Sequence, residues 1–212
     1  MKILSIQSLA IPEVKIIRFG RFTDHRGYFD ESFRRSEFTS LPELEFLHGV
    51  EFSQMNDSVS RPGVIRGLHF QFNPYMGKLV RTVYGRMIDT ALDIRKGSPT
   101  FGKIVAYDMP ASDEKEYNEW IWIPIGFAHG PFFPEQTRIE YFCSGEYSPN
   151  CEVGISPLAP DLDWSLCDPE LKALFDSIVP HSQLLSEKDK RGLTVEAWKN
   201  DPRSEHFLYH KR

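Results

Sequence analysis

The amino-acid sequence predicts an all-β fold, a sandwich or barrel built from many short antiparallel strands. Seven runs rich in β-branched and aromatic residues follow one another between residues 14 and 143. Turn-forming residues punctuate the chain between these runs, with 14 Gly and 15 Pro in all. This scatter of turn residues excludes a coiled coil or a helical repeat. Because 212 residues suffice for one sizeable core, we expect a single domain over residues 1–212.

Local pattern and turn residues place the strands. They are expected at 14–19, 64–72, 78–85, 86–94, 102–109, 119–125 and 138–143. Alternation is clear in the third strand, which puts Leu79, Arg81 and Val83 on one face and their neighbours on the other. The first strand belongs to an N-terminal strand arm of about residues 1–35.

Helical signals are concentrated in a C-terminal extension of about residues 165–212. Asp168 followed by Pro169 predicts the start of a helix, since Asp caps and Pro fits the first helical position. Ser186 predicts a second, shorter helical turn. The tail 200–212 is polar and basic, and we expect it to be poorly ordered.

Charge and cysteine content exclude several classes of protein. The chain has 25 Lys+Arg against 30 Asp+Glu, a net charge of −5, with no basic stripe for binding nucleic acid. No apolar run reaches the ~20 residues of a membrane span. The 3 cysteines form no Cys-x-x-Cys pair, as expected of a reduced cytoplasmic protein. We therefore expect no nucleic-acid or membrane partner.

Two histidines, His69 and His129, stand within frames marked by Gly and Pro that resemble the two signature motifs of the cupin superfamily. The frames span residues 63–85 and 124–129. Metal-binding cupins carry His-x-His and a Glu in the first motif, whereas this chain has Gln71 and Lys78. An ammonium repels a divalent cation, and two histidines alone are a weak chelate. We therefore expect no metal and a double-stranded β-helix, or jelly-roll, barrel.

The same side chains suit proton transfer next to a carbonyl. His69 is a base whose ordinary pKa of about 6.5 lies near working pH. Lys78 can stabilise an oxyanion that develops on a carbonyl oxygen. Tyr141 carries a phenol that stays protonated at neutral pH and can donate from another face. Together they form the minimum set for removing and replacing a proton α to a ketone, provided that all three point into the barrel.

Longer stretches of the sequence closely resemble the dTDP-4-dehydrorhamnose 3,5-epimerase family. They are residues 22–33, 54–71, 76–103, 122–130, 141–152 and 185–189. The resemblance implies a cupin barrel without metal or cofactor that acts as a homodimer. It implies a dTDP-linked 4-keto-6-deoxyhexose substrate, epimerised at C3 and C5 through an enolate in deoxysugar biosynthesis.

The resemblance also assigns roles residue by residue. His69 matches the general base, Asp189 its carboxylate partner, Lys78 the residue beside the keto oxygen, and Tyr141 the acid on the other face. Further substrate contacts are implied, some of them across the dimer, for Arg26, Glu31, Gln54, Met55, Asn56, Arg66, Lys78, His129, Tyr147, Glu152 and Lys188. Arg66 matches a diphosphate contact, for which a planar guanidinium is suited.

Departures from the family pattern leave alternatives open. Pro131 follows the second histidine motif, Pro157-Leu158-Ala159 replaces acidic residues, and residues 165–184 form an expanded segment before Asp189. A single-centre epimerase at C3 or C5, or a 3,4-ketoisomerase-like enzyme acting on another nucleotide 4-keto sugar, fits these differences. A non-catalytic sugar-nucleotide-binding cupin and a metal-dependent cupin oxygenase are the alternatives from other classes. The combination of a base, a cation and an acid favours catalysis, because binding alone needs neither base nor acid.

Overall fold

The computed structural model of the chain describes residues 2–210, except the side chains of residues 181–183, and it is built mainly of antiparallel strands. In chain order the strands are β1 (Ile3–Ser8), β2 (Lys15–Gly20), β3 (Phe22–Asp24), β4 (Gly27–Phe29), β5 (Gln54–Ser60), β6 (Val64–Ile65), β7 (His69–Gln71), β8 (Lys78–Tyr84), β9 (Arg86–Asp93), β10 (Ile104–Pro110), β11 (Tyr117–Ile123), β12 (Phe127–His129), β13 (Phe132–Phe133), β14 (Thr137–Cys143) and β15 (Glu152–Gly154). The helices are α1 (Arg35–Phe38), α2 (Pro169–Ile178), α3 (Glu187–Lys190) and α4 (Val195–Asn200), with 3₁₀ turns at Pro42–Leu47, Val179–Leu184 and Pro202–Phe207.

Two sheets form the walls of a barrel. The first has the strand order β1-β2-β11-β8-β14-β5. The second has the order β15-β7-β12-β9-β13-β6, and β10 also pairs with β9. The short hairpin β3–β4 pairs with neither sheet. This arrangement confirms the predicted all-β, cupin-type barrel.

Apolar side chains fill the space between the sheets and also cover their outer faces. The inner core contains Val80 of the first sheet and Met87 and Phe133 of the second, all fully buried. Outside the first sheet, Trp120 packs against the segment between β4 and β5. Outside the second sheet, Trp198 of α4 closes another cluster. Because both faces are covered, several strands are buried almost along their whole length.

Most predicted elements are present, with one split strand. The run 64–72 is divided into β6 and β7 by the irregular residues 66–68, whereas the other predicted strands match single strands to within a few residues. The Asp168 side chain accepts a hydrogen bond from the backbone N–H of Glu170, as expected of a helix cap. The Ser186 side chain caps α3 in the same way.

The prediction of a poorly ordered tail is wrong for residues 200–210, whereas 211–212 lie outside the described residues. The tail forms a 3₁₀ turn at Pro202–Phe207, and Phe207 is buried. Its ring lies 5.5 Å from that of Phe70, and Trp198 donates a hydrogen bond to the Ile94 carbonyl at 3.0 Å. The polar composition of the tail concealed one aromatic anchor, Phe207, which packs against Phe70 and Trp198 and fixes the segment to the barrel.

Within residues 2–210, no helix is both long enough and apolar enough to cross a membrane. Cys143, Cys151 and Cys167 are free thiols.

A buried charge network lies at the C-terminal end of β9 and fixes the loop that follows this strand. The Asp93 carboxylate is fully buried and accepts hydrogen bonds from Arg95, Ser98 and Thr100 at 2.6–2.9 Å. Burial alone opposes ionisation, but these donors more than offset it and lower the pKa of Asp93. The network therefore stabilises the fold while Asp93 is ionised.

We expect Asp93→Ala to lower the free energy of unfolding by about 3–5 kcal/mol, because it leaves the Arg95 guanidinium without its buried partner. Since the folded pKa of Asp93 is depressed, its contribution is complete above the unfolded value of about 3.9 and is lost as pH falls through the folded value. Urea unfolding at pH 7 and at low pH measures both effects. The exposed Asp176→Ala, which removes a helical pair with Lys172, is the control and is expected to change stability by under about 0.5 kcal/mol. Equal losses in both variants would contradict the prediction.

Candidate active site

A cleft between the two sheets contains most of the predicted site residues. It consists of two adjoining cavities of about 530 and 280 Å³, a size that suits a small-molecule ligand. Five side chains line both cavities: Ser58, His69, Lys78, Tyr141 and Lys188. A separate polar cavity of about 230 Å³ beside the β3–β4 hairpin contains none of the predicted site residues.

Close packing of backbone brings His69 to the cleft wall. His69 lies in β7 between Gly154 of β15 and His129 of β12, its two partners in the sheet. Gly67, just before this strand, has φ +107°, and a Cβ there would lie 2.5 Å from the His129 carbonyl oxygen. Only glycine permits that approach. The positive φ of Gly67 explains why the run 64–72 does not continue as one strand through this point.

The His69 imidazole forms a dyad with Asp189. Its Nε2 lies 2.6 Å from Oδ1 of Asp189, which α3 carries to the cleft from 120 residues further along the chain. Burial opposes ionisation of Asp189, yet hydrogen bonds from His69 and Ser186 hold the pKa of this carboxyl below its usual range. An ionised Asp189 keeps the proton on Nε2 and stabilises an imidazolium, so Nδ1 carries the free lone pair.

A second carboxylate faces the other ring nitrogen. Oε1 of Glu152 lies 3.7 Å from Nδ1 of His69. Its Oε2 accepts hydrogen bonds from the Lys188 ammonium and, at 3.1 Å, from the Tyr147 hydroxyl. Despite the desolvation that accompanies burial, these donors and the charges of Lys188 and His69 lower the pKa of Glu152.

Lys78 provides positive charge from the first sheet. It begins β8, where its partner in β14 is Cys143. Burial lowers the pKa of Lys78, and the negative charges of Glu152 and Asp89 partly oppose that effect. A poorly solvated ammonium is a strong electrostatic partner for an oxyanion, because few waters compete for its protons.

Tyr141 lies two residues before Cys143 and on the same face of β14. Its partners across the sheet are Val80 of β8 and Asn56 of β5. Burial raises the pKa of the Tyr141 phenol, and a hydrogen bond from the Asn56 side chain works in the opposite direction. The phenol therefore remains protonated at neutral pH and is available as a proton donor.

His129 forms a second, buried dyad that the sequence did not reveal. Its Nε2 lies 2.6 Å from Oδ1 of Asp89, and both side chains are almost inaccessible to solvent. Burial lowers the pKa of His129, which favours the neutral imidazole despite the attraction of Asp89. The available signal was Asp89 itself, a carboxylate in the middle of the apolar strand β9.

Other predicted contacts divide into two groups. Gln54, Asn56, Arg66, Tyr147, Glu152 and Lys188 line one or both cavities. Arg26, Glu31 and Met55 do not line the cleft of their own chain. Arg26 is paired with Asp24 at the exposed tip of the hairpin, Glu31 is paired with Arg34, and Met55 points outward. Ser58 was missed, although it continues the alternation of Gln54 and Asn56 along β5.

Gln71, which stands where metal-binding cupins have a second histidine, serves to anchor loops. Its amide nitrogen donates to the carbonyls of Pro74 and Glu146, and its oxygen accepts from the Ser148 N–H, all at 2.7–2.9 Å. Across the described residues, no group of three or more His, Cys, Asp or Glu side chains is placed to hold a metal ion.

The barrel and its cleft define the class of protein: a cupin-type barrel in which a histidine, a tyrosine and a lysine line the wall of one cleft. A family model described as dTDP-4-dehydrorhamnose 3,5-epimerase matches residues 8–201. The chain is 38% identical over 193 residues to the dTDP-4-dehydrorhamnose 3,5-epimerase of Shigella flexneri, covering 89% of this chain and 94% of that protein. The chain belongs to the dTDP-4-dehydrorhamnose 3,5-epimerase family, a family of isomerases.

Solved structures agree with this family assignment. The dTDP-6-deoxy-D-glucose-3,5-epimerase of Legionella pneumophila, in complex with dTDP-4-keto-L-rhamnose, has a TM-score of 0.74 and 32% identity, covering 98% of this chain and 99% of that one. A 3′-monoepimerase from Streptomyces bikiniensis, in complex with dTDP-quinovose, has a TM-score of 0.64 and 27% identity, covering 93% and 88%.

Proposed function

We propose that this protein is the 3,5-epimerase that converts dTDP-4-dehydro-6-deoxy-D-glucose to dTDP-4-dehydro-L-rhamnose in deoxysugar biosynthesis. One observation carries the proposal: His69 and Tyr141 lie on opposite sheets and line the same cleft, with Lys78 also in its wall. Inversion of a carbon centre requires this layout, because the proton must leave from one face and return to the other. Family membership supplies the substrate class.

The proposed reaction proceeds through an enolate at each centre. The substrate's 4-keto group acidifies the hydrogens at C3 and C5, and Nδ1 of His69 removes one of them. The electron pair of the C–H bond moves to the keto oxygen, where the Lys78 ammonium stabilises the oxyanion. Tyr141 then donates its proton to the carbon from the opposite face, which inverts the centre. Asp189 orients His69 and stabilises its charged form.

Solvent deuterium incorporation tests the proposal. In D₂O with the dTDP-linked 4-keto-6-deoxyglucose, followed by NMR, we expect deuterium at both C3 and C5 of the inverted product. The same assay with several other nucleotide 4-keto sugars measures the preference for base and sugar. Absence of exchange at both carbons for every substrate would contradict the proposal.

A single-centre epimerase is the second candidate, and the likeness to a 3′-monoepimerase favours it. Both activities use the same base, acid and ammonium, so the residues of the cleft fit either. The labelling pattern separates them, because a single-centre enzyme labels only one carbon.

We also propose that the chain acts in the cytoplasm, as one domain, and as a homodimer in which the β3–β4 hairpin reaches the nucleotide in the partner's cleft. The hairpin lies outside both sheets and exposes Phe22, Tyr28 and Phe29. A second exposed apolar surface lies on the outer face of the first sheet, where Val59 and Tyr84 flank Arg138 across three adjacent strands. Apolar surfaces of this kind are typical of subunit contacts.

A shared site predicts that two different impaired variants restore activity when they are mixed. We expect Arg26→Ala to weaken nucleotide binding about 10- to 100-fold, through loss of a charged hydrogen bond, and His69→Ala to be inactive. After subunit exchange, an equal mixture should recover about a quarter of wild-type activity, because half of the dimers are mixed and each has one complete site. No recovery after verified exchange would contradict a contact across the dimer.

A further inference from the structure

An enzyme with one base and two carbon centres must free that base of its proton between the two inversions. This requirement rests on the proposed function. Of the two imidazoles in the cleft wall, that of His129 is buried and bound to Asp89, which leaves His69 for both carbons. After the first inversion His69 carries the proton from the first carbon, and the bound sugar fills the cleft that would otherwise admit water.

The Asp189 side of the ring offers no exit for this proton. The Asp189 side chain is only 6% exposed and also interacts with Ser186. Its short contact with Nε2 fixes the ring rather than releasing a proton to solvent. The proton taken from the sugar resides on the opposite nitrogen, Nδ1.

The Nδ1 side leads to solvent through Glu152. Oε1 of Glu152 is 3.7 Å from Nδ1, and a closure of under about 1 Å would form a hydrogen bond. Its other oxygen is bonded to Lys188 and Tyr147, whose side chains are 57% and 53% exposed. We propose that Glu152 is the proton-release group of His69, passing the abstracted proton from Nδ1 to bulk water between the two inversions.

The proton and electron-pair transfers of each inversion are balanced. The C–H bond breaks and its electron pair moves to the keto oxygen, while the proton binds Nδ1. It then passes to Oε1 of Glu152 and on to water, which restores neutral His69. Tyr141 supplies one proton to the carbon and regains one from solvent, so each inversion leaves the enzyme unchanged.

The charges around Glu152 suit a carrier that does not retain its proton. Lys188 and Tyr147 face it from one side, and His69 and Lys78 from the cleft. An ordinary carboxyl has a pKa about two units below that of imidazole. Glu152 therefore holds a proton only briefly and hands it to water.

The experiment uses Glu152→Gln, which keeps the size and hydrogen-bonding capacity of the side chain but cannot carry the proton. The substrate carries deuterium at C3 and C5, and a single turnover in H₂O is followed by NMR. For the wild type we expect loss of deuterium at both centres and inversion of both. For the variant we expect the first inversion to continue, the second to slow by about 10²-fold, and singly inverted product to accumulate.

Added imidazole buffer distinguishes a lost proton carrier from a structural defect, because only the former should respond with a faster second inversion. It should accelerate the second inversion in Glu152→Ala, where the shortened side chain leaves room for a small proton acceptor to reach Nδ1 of His69 from the solvent edge, and it should leave the wild type unaffected. Glu152→Asp should restore part of the rate. Arg66→Met is the matched control, because Arg66 lines the same cleft but bonds Ser60 rather than Glu152: we expect weaker substrate binding but an unchanged ratio of singly to doubly inverted product.

Two outcomes would overturn the inference. One is a Glu152→Gln enzyme that inverts both centres in the wild-type ratio; the other is an equal loss of both inversions without any response to buffer. A wild type that exchanges only one centre, or none, would instead count against the proposed 3,5-epimerisation, so the two failures are distinguishable.

Discussion

Replacing His69 with alanine is expected to abolish exchange of solvent deuterium at both C3 and C5 of the sugar. General-base catalysis by a positioned side chain contributes about 10²–10⁴-fold in rate. The second imidazole in the cleft wall, His129, is a poor substitute, because it is held by Asp89 and burial lowers its pKa. The measurement is NMR of the substrate in D₂O over a period in which the wild type completes many turnovers.

Tyr141→Phe provides the contrast for the His69 variant. It keeps the base and the ring but removes the phenolic proton, so proton abstraction should persist while inversion is impaired. Binding of dTDP to both variants, measured by calorimetry, checks that the cleft is intact. Undiminished exchange in His69→Ala would refute the assignment of the base, and loss of exchange in both variants would show that Tyr141 also assists the first step.

Local patterns were sufficient to predict most of the barrel. Strands such as β8 and β9 follow from runs of β-branched residues, and the ends of α2 and α3 follow from the caps Asp168 and Ser186. The order of the tail could not be predicted, because burial of Phe207 depends on Phe70, more than 130 residues away in sequence. Composition describes a segment alone and does not reveal the surface it packs against.

The cleft was predicted unevenly, for the same physical reason. His69, Lys78 and Tyr141 have recognisable chemistry, but their orientation depends on strand register, which only the assembled sheets define. The dyad of His69 with Asp189 joins residues 120 positions apart and was implied only by family resemblance. Asp89 was missed because the sequence does not show that this carboxylate, inside an apolar strand, is paired with His129. Arg26 does not line the cleft of its own chain, and in the proposed dimer its contact would come from a second chain, whose placement one sequence does not describe.

Lys78→Met is expected to reduce kcat by about 10²–10³-fold, the usual effect of removing one stabiliser of an oxyanion. The half-buried Lys78 side chain lines both cavities, so in the proposed reaction its loss leaves the enolate oxygen without this positive partner. Because burial lowers the pKa of Lys78 below its usual 10.5, wild-type activity should decline on the alkaline side at a lower pH than an ordinary lysine would cause. The Tyr141 phenol, whose pKa is raised, should lose its proton later.

Lys78→Arg tests whether Lys78 causes the decline of activity at high pH, the alkaline limb of the pH profile. Guanidinium stays charged above pH 12, so the variant should retain part of the rate and its alkaline limb should move to higher pH. The measurement is kcat/KM across pH 6–11, with dTDP binding as a check that the nucleotide half of the cleft is unchanged. An alkaline limb that stays in place in Lys78→Arg would assign it to another group. A Lys78→Met variant with a kcat within tenfold of wild type would exclude Lys78 from the chemistry. No other cation among the described residues is placed to replace it. Within that part of the chain, Lys188 is the one other lysine or arginine that lines both cavities, and it is bonded to Glu152 at the solvent edge.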